Sequence, residues 1–227
     1  EITYQIYNDG TFLQFSMNYH RVAIQLLTWG IRLSEIHSVP LNSNVHDRAK
    51  KSLAYLRTCQ DQISGKLPKY GANDGALFFK LSDDDYRVYT SQINDLSAVL
   101  CNEVTEHNES QSWYGINNCE IVAFEQNKLS TYPFGGHYVI NDSTSKTLVK
   151  CAKYKDRPGH ADNLHVDIWL NGNNYIWDTG SYKYNTVKKY SHFFGHCYGH
   201  NTVSVDNKNQ MLKGSRFIWN YWNKKAK

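Results

Sequence analysis

No apolar run in the sequence approaches the roughly 18 residues that a membrane-spanning helix requires, and Glu1 to Phe15 lacks a basic stretch followed by an apolar one. The expectation is a soluble chain without a membrane span or an address segment. Proline is scarce at 4 residues and charged residues make up only 20%, which argues against low-complexity or acidic disorder. The five cysteines, Cys59, Cys101, Cys119, Cys151 and Cys197, include no C-x-x-C pair, which argues against a zinc ribbon or a dithiol redox motif. Scattered buried thiols are the favoured reading, with one or two surface disulfides as the lesser alternative. What the chain has in quantity is aromatic surface, 14% of residues with 17 tyrosines, on a length of 227 that allows a sizeable core in one large or two small domains.

The net charge of +4 is unevenly placed. From Lys183 to Lys227 nine Lys and Arg stand against Asp206 alone, so this stretch carries +8 and the remainder −4. A basic, aromatic-laced segment suits a polyanion, either nucleic acid or an acidic polysaccharide. A solvated basic face with a frayed tail is the plainer alternative. No recognised nucleic-acid motif accompanies the charge, which favours the polysaccharide.

Apolar positions Tyr19, Val22, Leu26, Gly30, Leu33 and Ile36 recur at three and four, with Arg21, Gln25, Thr28, Arg32 and Glu35 opposite, and predict an amphipathic helix. Two more helices are predicted from about Asn44 to Ile63 and Asp85 to Glu103. Lys66 to Gly75 between them is rich in turn formers and reads as an exposed loop too polar for the core. After about Asn118 the period becomes two: Leu164, Val166, Ile168 and Leu170 alternate with His165, Asp167 and Trp169, and Asn171-Gly172 supplies a hairpin turn before Tyr175 to Trp177. Thr202 to Val205 and Arg216 to Trp219 read as further strands. Helices first and strands second predict an α+β chain, with a helical part over residues 1–110 and a strand part over residues 111–227.

Three clusters could carry chemistry. At the start of the first long helix, Asn18, Tyr19, His20 and Arg21 set an amide, a phenol, an imidazole and a guanidinium where an anion could bind, unless Asn18 is a cap and Tyr19 core. In the loop, Tyr70 with Asn73 and Asp74 could supply a base and its positioning partners. In the strand part, His160-Ala161-Asp162, Asp178 and His200 put imidazoles and a carboxylate at strand ends, a donor set suited to a borderline ion such as zinc, or else simply satisfied polar residues. His192, His196 and His200 share a helical spacing, but Phe193, Phe194, Gly195 and Gly199 fit a loop better, and they are read as loop residues.

The segments Asp9 to Arg21, Leu67 to Gly75, Gly159 to Asp162 with Asp178 to Tyr182, and His200 to Val203 with Asp206, taken in this order, resemble the heparinase II/III-type polysaccharide lyases and their alginate-lyase relatives. The resemblance implies the end of an (α/α) toroid followed by an antiparallel β-sandwich, with a substrate cleft between them. It implies β-elimination on a uronate-containing glycan, with Asn18 neutralising the carboxylate, His20 as helper or base, and Tyr70 as the proton-transferring phenol. Chemically, such a phenol needs cationic neighbours, for which Arg21 and His20 are the sequence candidates. Tyr19, Arg21, Asn73 and Tyr190 form the expected substrate-binding set, and Tyr182, Tyr184 and Tyr190 are alternative phenols. A structural divalent metal, most readily zinc, is implied at His160, Asp178 and His200. The resemblance also implies a periplasmic or secreted enzyme. One departure stands out: the family often carries His-Gly-His before Ala-Asp, where this chain has Pro158-Gly159-His160. Loss of that imidazole leaves room for a non-catalytic glycan-binding protein that kept the fold.

Overall fold

The structure is a computed structural model that describes residues 1–156 and 158–226. Lys227, counted in the basic stretch, lies outside the described residues. Helices come first: α1 (Ile2–Gln5), α2 (Met17–Ile36), α3 (Ser43–Cys59) and α4 (Thr90–Cys101). The short β1 (Glu103–Val104), α5 (Ser110–Trp113) and β2 (Glu120–Ile121) follow. Then comes an antiparallel meander of five strands, β3 (Leu129–Tyr132), β4 (His137–Asn141), β5 (Ser145–Lys150), β6 (Val166–Leu170) and β7 (Asn173–Ile176). After it lie α6 (Lys188–Gly195), a 3-10 turn at Cys197–Gly199, β8 (Leu212–Lys213) and β9 (Trp219–Asn220). Among the described residues the other sheets, β1–β2 and β8–β9, are two-stranded. No helix among the described residues is long and apolar enough to cross a membrane.

The first long helix forms where its period predicts, but its faces are reversed. Ser16 caps α2 by accepting from the Tyr19 N–H at 3.1 Å. Arg21, Gln25 and Thr28 are buried, whereas Leu26 and Leu33 are 49% and 45% exposed. The reason lies in the long connection between α3 and α4, which has little regular structure and whose backbone lies on the polar face of α2. Arg21 donates to the Tyr86 carbonyl at 2.6 Å, and the Gln25 side chain donates to the Phe79 carbonyl at 2.7 Å and accepts from the Phe78 N–H at 3.0 Å. Irregular backbone must find partners somewhere, and here α2 supplies them.

The same connection corrects a second expectation. Leu67 and Tyr70 are core residues, with Tyr70 only 3% exposed, rather than part of an exposed loop. Gly71 makes the approach possible: its φ is +78°, and a Cβ there would stand 1.9 Å from the Phe15 carbonyl oxygen. The predicted ends of α3 and α4 also move inward. The carbonyls at the α3 terminus are taken by strand-part side chains, Gln126 on Arg57 and Gln60 at 2.6 and 2.8 Å and Lys146 on Thr58 at 2.7 Å, which stop the helix at Cys59. Asp85 holds the Arg87 N–H at 2.9 Å in a local turn, so α4 starts at Thr90.

Asn171 and Gly172, with φ of 48° and 76°, turn β6 into β7 as their sequence predicts. Strand β6 alternates, but His165, Asp167 and Trp169 point inward and Leu170 is exposed. Asp167 accepts from the Asn174 amide at 3.2 Å, so the inward carboxylate is paired. The inward faces of β4 and β5 likewise carry His137, Asn141, Lys146 and Lys150 beside Val139 and Leu148. Residues 202–205 form no strand beyond a single bridge of Val205 to Lys208, and the second predicted strand shifts to β9. His192 lies within α6 rather than in a loop. All five cysteines are free thiols, Cys59 and Cys197 buried, Cys101 exposed and the others intermediate.

Candidate functional site

Where the loops flanking β6 and β7 meet the 3-10 turn, His160, Asp162, Asp178 and His200 each offer one ligand atom, all within 4.8 Å of one another. Each carboxylate is held by one oxygen and leaves the other free. Asp162 Oδ1 accepts from Lys150 Nζ at 2.5 Å and from the Tyr154 hydroxyl at 3.1 Å; Asp178 Oδ1 accepts from the Gly180 N–H at 2.7 Å. His200 Nδ1 lies 3.2 Å from Asp178 Oδ1, while the second oxygens of both carboxylates, His160 Nδ1 and His200 Nε2 are buried with no hydrogen-bond partner. Buried polar atoms left in this state are costly, and a cation that accepts their lone pairs removes the cost. Two imidazoles and two carboxylates fit a four-coordinate site for a borderline divalent ion. Burial keeps the His160 imidazole neutral, its pKa lowered to about 4, and the neighbouring Lys150 ammonium offsets the burial of Asp162 and holds it ionised. Asp162 joins the three residues expected from sequence; it was visible in the His-Ala-Asp tripeptide.

The site opens on a cleft of about 640 Å³ between the helical and strand parts. Tyr19, Ala72 and Asp74 line it from one side and His160, Tyr182 and Tyr184 from the other, with Lys183, Lys213 and Arg216 on its basic wall. The Tyr19 hydroxyl donates to Asp74 at 3.3 Å. Tyr190 packs on Tyr182, ring centroids 4.9 Å apart. Pro158, the departure noted in the sequence, also lines the cleft.

Beneath Tyr19, Asn18 Oδ1 accepts from Arg21 Nη2 at 2.9 Å and from the Tyr86 hydroxyl at 2.5 Å. Arg21 is 1% exposed and stacked between the rings of Tyr86 and Tyr89, 4.4 Å from each centroid. The Tyr86 hydroxyl also lies 3.5 Å from Asn73 Oδ1, and the Asn73 N–H donates to Ser181 Oγ at 2.8 Å, tying the loop to the strand part. Asn18, Arg21 and Asn73 therefore meet, joined by Tyr86. Nothing in the sequence singled out Tyr86: it falls at the start of the helix predicted from Asp85 to Glu103, and only the chain path brings it to Asn18.

Tyr70 and His20 stand elsewhere. Rings of Phe12, His20, Tyr55 and His137 form a stacked column with centroids 5.3, 5.6 and 5.7 Å apart, and the edge of Tyr70 meets His137 at 4.6 Å. His20 is buried and bonded to Ser52 Oγ at 2.7 Å, and burial lowers its pKa to about 3. The cation beside Tyr70 is Lys150, 5.0 Å from its ring, while Arg21 is occupied by Tyr86, Tyr89 and Asn18. Burial, helped by Asp162, pushes the Tyr70 phenol well above its ordinary value near 10.

Residues 126–225 match the family described as Heparinase II/III-like, C-terminal. Among solved structures, a heparinase III gene product aligns at 19% identity and TM-score 0.70, covering 92% of this chain and 32% of its own. Another heparinase III aligns at 17% identity and TM-score 0.68, covering 94% and 35%. Heparan sulfate lyase HepC from Pedobacter heparinus aligns at 15% identity and TM-score 0.69, covering 92% and 32%. At such identities the likeness establishes a shared fold. The chain spans about a third of the length of these structures. No curated protein matches it in sequence.

Proposed function

From a C-terminal portion that is of the heparinase II/III type, we propose that the protein is a polysaccharide lyase acting on an acidic, uronate-containing glycan by β-elimination. The end of an (α/α) toroid over residues 1–110, a β-sandwich over residues 111–227 and a periplasmic or secreted setting belong to the same proposal. The observation that carries it is the buried amide of Asn18. Its Nδ2 has no partner, and the guanidinium beside it has no carboxylate within ion-pair distance among the described residues. An uncompensated positive charge and a free donor next to a cleft suit a carboxylate.

Elimination requires that the uronate carboxylate be stabilised as charge builds on it during removal of the C5 proton. Asn18 supplies the donor and Arg21 the charge behind it. Tyr70, as its phenolate, takes the C5 proton and returns it to the departing C4 oxygen, so the side chain ends as the phenolate it began as. Because burial opposes the phenolate, only a small fraction is ionised at neutral pH, and the rate rises about tenfold per pH unit up to the raised pKa. His20 meets no substrate; enclosed between Phe12 and Tyr55, it holds the ring column on which Tyr70 leans. His160, Asp162, Asp178 and His200 would hold the ion, zinc by donor type, which supplies a fixed positive centre that braces the strand-side wall.

A second reading, glycan binding without chemistry, is favoured by Pro158 in the cleft wall. The test is incubation of the zinc-loaded protein with heparan sulfate, alginate, hyaluronan and chondroitin, following ultraviolet absorbance of new C4–C5 double bonds. One substrate should give product, with Asn18→Ala slower by roughly 10²–10³-fold and Tyr70→Phe inactive. Binding of a glycan with a flat trace throughout would establish the second reading instead.

A further inference from the structure

We propose that Tyr86 is a positioning residue: its hydroxyl fixes the Asn18 carboxamide so that the Nδ2 amino group is the face presented to the substrate carboxylate. The inference rests on the lyase reading above and adds to it a residue and an orientation. A carboxamide oxygen has two lone pairs, and Asn18 Oδ1 uses both, one on Arg21 Nη2 at 2.9 Å and one on the Tyr86 hydroxyl at 2.5 Å. Turning the amide over would set its NH₂ against the guanidinium, donor against donor. The orientation is thus dictated by the network.

Three features make this arrangement a receptor for an anion rather than a closed structural network. Asn18 is 1% exposed, yet its Nδ2 has no acceptor. Arg21 is equally buried, and its partners are neutral oxygens, the carbonyls of Tyr86 at 2.6 Å and Ala76 at 3.5 Å and Asn18 Oδ1. Tyr86 and Asn73 are only half-buried, and Asn73 is bonded through Ser181 to the cleft wall, so the network reaches the surface at these two residues. A planar, acceptor-only group such as a carboxylate satisfies the free donor and the uncompensated charge together.

Tyr86→Phe keeps the ring over Arg21 and removes only the hydroxyl. In ¹⁵N-labelled protein without ligand, the two Asn18 side-chain amide proton signals, assigned by their loss in Asn18→Ala, should shift and draw together in Tyr86→Phe as the carboxamide gains freedom. Unchanged Asn18 signals in a folded Tyr86→Phe protein would overturn the proposal. On the glycan that gives product, kcat of Tyr86→Phe should fall about tenfold, the effect of one orienting hydrogen bond, with KM little changed because the contact tightens as charge develops. An unchanged kcat in the presence of moved Asn18 signals would also overturn it, since orientation would then not matter to the reaction. If the wild-type protein forms no product on any glycan, the lyase reading fails, and the amide signals alone decide whether Tyr86 orients Asn18.

Discussion

Stripping and reloading the metal tests the four-residue cluster most directly. His160 and Asp162 precede β6, Asp178 follows β7 and His200 follows the 3-10 turn, so one ion would clamp three segments together. An ion bound only in the folded state stabilises it by about 2.7 kcal/mol at a free concentration 100 times its Kd, and by about 4.1 at 1,000 times. For a chain of this size each kcal/mol moves Tm by roughly 2–4 °C. The shift between chelated and zinc-loaded protein should therefore be about 5–16 °C, rising with free zinc. Magnesium, which takes oxygen ligands and retains its waters, should give little of it. Differential scanning calorimetry in chelator, zinc and magnesium measures this. Asp178→Asn is the matched control: the amide oxygen can keep the 2.7 Å bond from the Gly180 N–H while the second carboxylate oxygen is lost. The reasoning fails if Tm is the same with and without zinc, or if zinc raises it equally in Asp178→Asn.

Two further predictions concern stability away from the cluster. Asp95 is buried against Ser110 Oγ at 2.6 Å, and burial raises its pKa to about 7. The folded state therefore holds a proton that the unfolded chain releases near pH 4, so the group costs nothing below that pH and progressively destabilises the fold as pH rises to 7. Asp95→Asn should stabilise by up to about 4 kcal/mol at pH 8 and about 1.5 at pH 5; urea midpoints that move equally at both would refute the assignment. Gly71→Ala puts a Cβ 1.9 Å from the Phe15 carbonyl oxygen at a φ of +78°. It should cost about 2–5 kcal/mol in urea unfolding, and an unchanged midpoint would show that this approach does not constrain the Tyr70 loop.

Part of the cluster was legible: His160, Asp178 and His200 stand beside turn and strand signals, which by themselves also suit satisfied polar residues, and the family resemblance is what implied a metal there. The element order and the Asn171-Gly172 hairpin were legible from local signals alone. Which face of an element turns inward was not. A period of 3.6 or 2 says that a helix or strand has two faces, and the usual inference that the apolar one is buried assumes that neighbours bring apolar surface to it. Against α2 lies irregular backbone instead, and its carbonyls need Arg21 and Gln25. Tyr70 was misread as exposed for a related reason: turn residues mark irregular backbone, not distance from the core, and Gly71 lets that backbone pass tightly over Phe15.

The two inverted faces, on α2 and β6, carry an argument about where function sits. Turning polar groups inward destabilises a fold unless every one is paired, and along most of both faces the pairing is found locally: Gln25 with the backbone of Phe78 and Phe79, Asp167 with Asn174. Among the buried atoms left without a hydrogen-bond partner are Asn18 Nδ2 and atoms of His160, Asp162, Asp178 and His200. Those two places flank one cleft, one with a donor beside uncompensated positive charge and the other with acceptors in excess. On the lyase reading proposed above, the donor side is where an anionic ligand would be received and the acceptor side where a cation would be held.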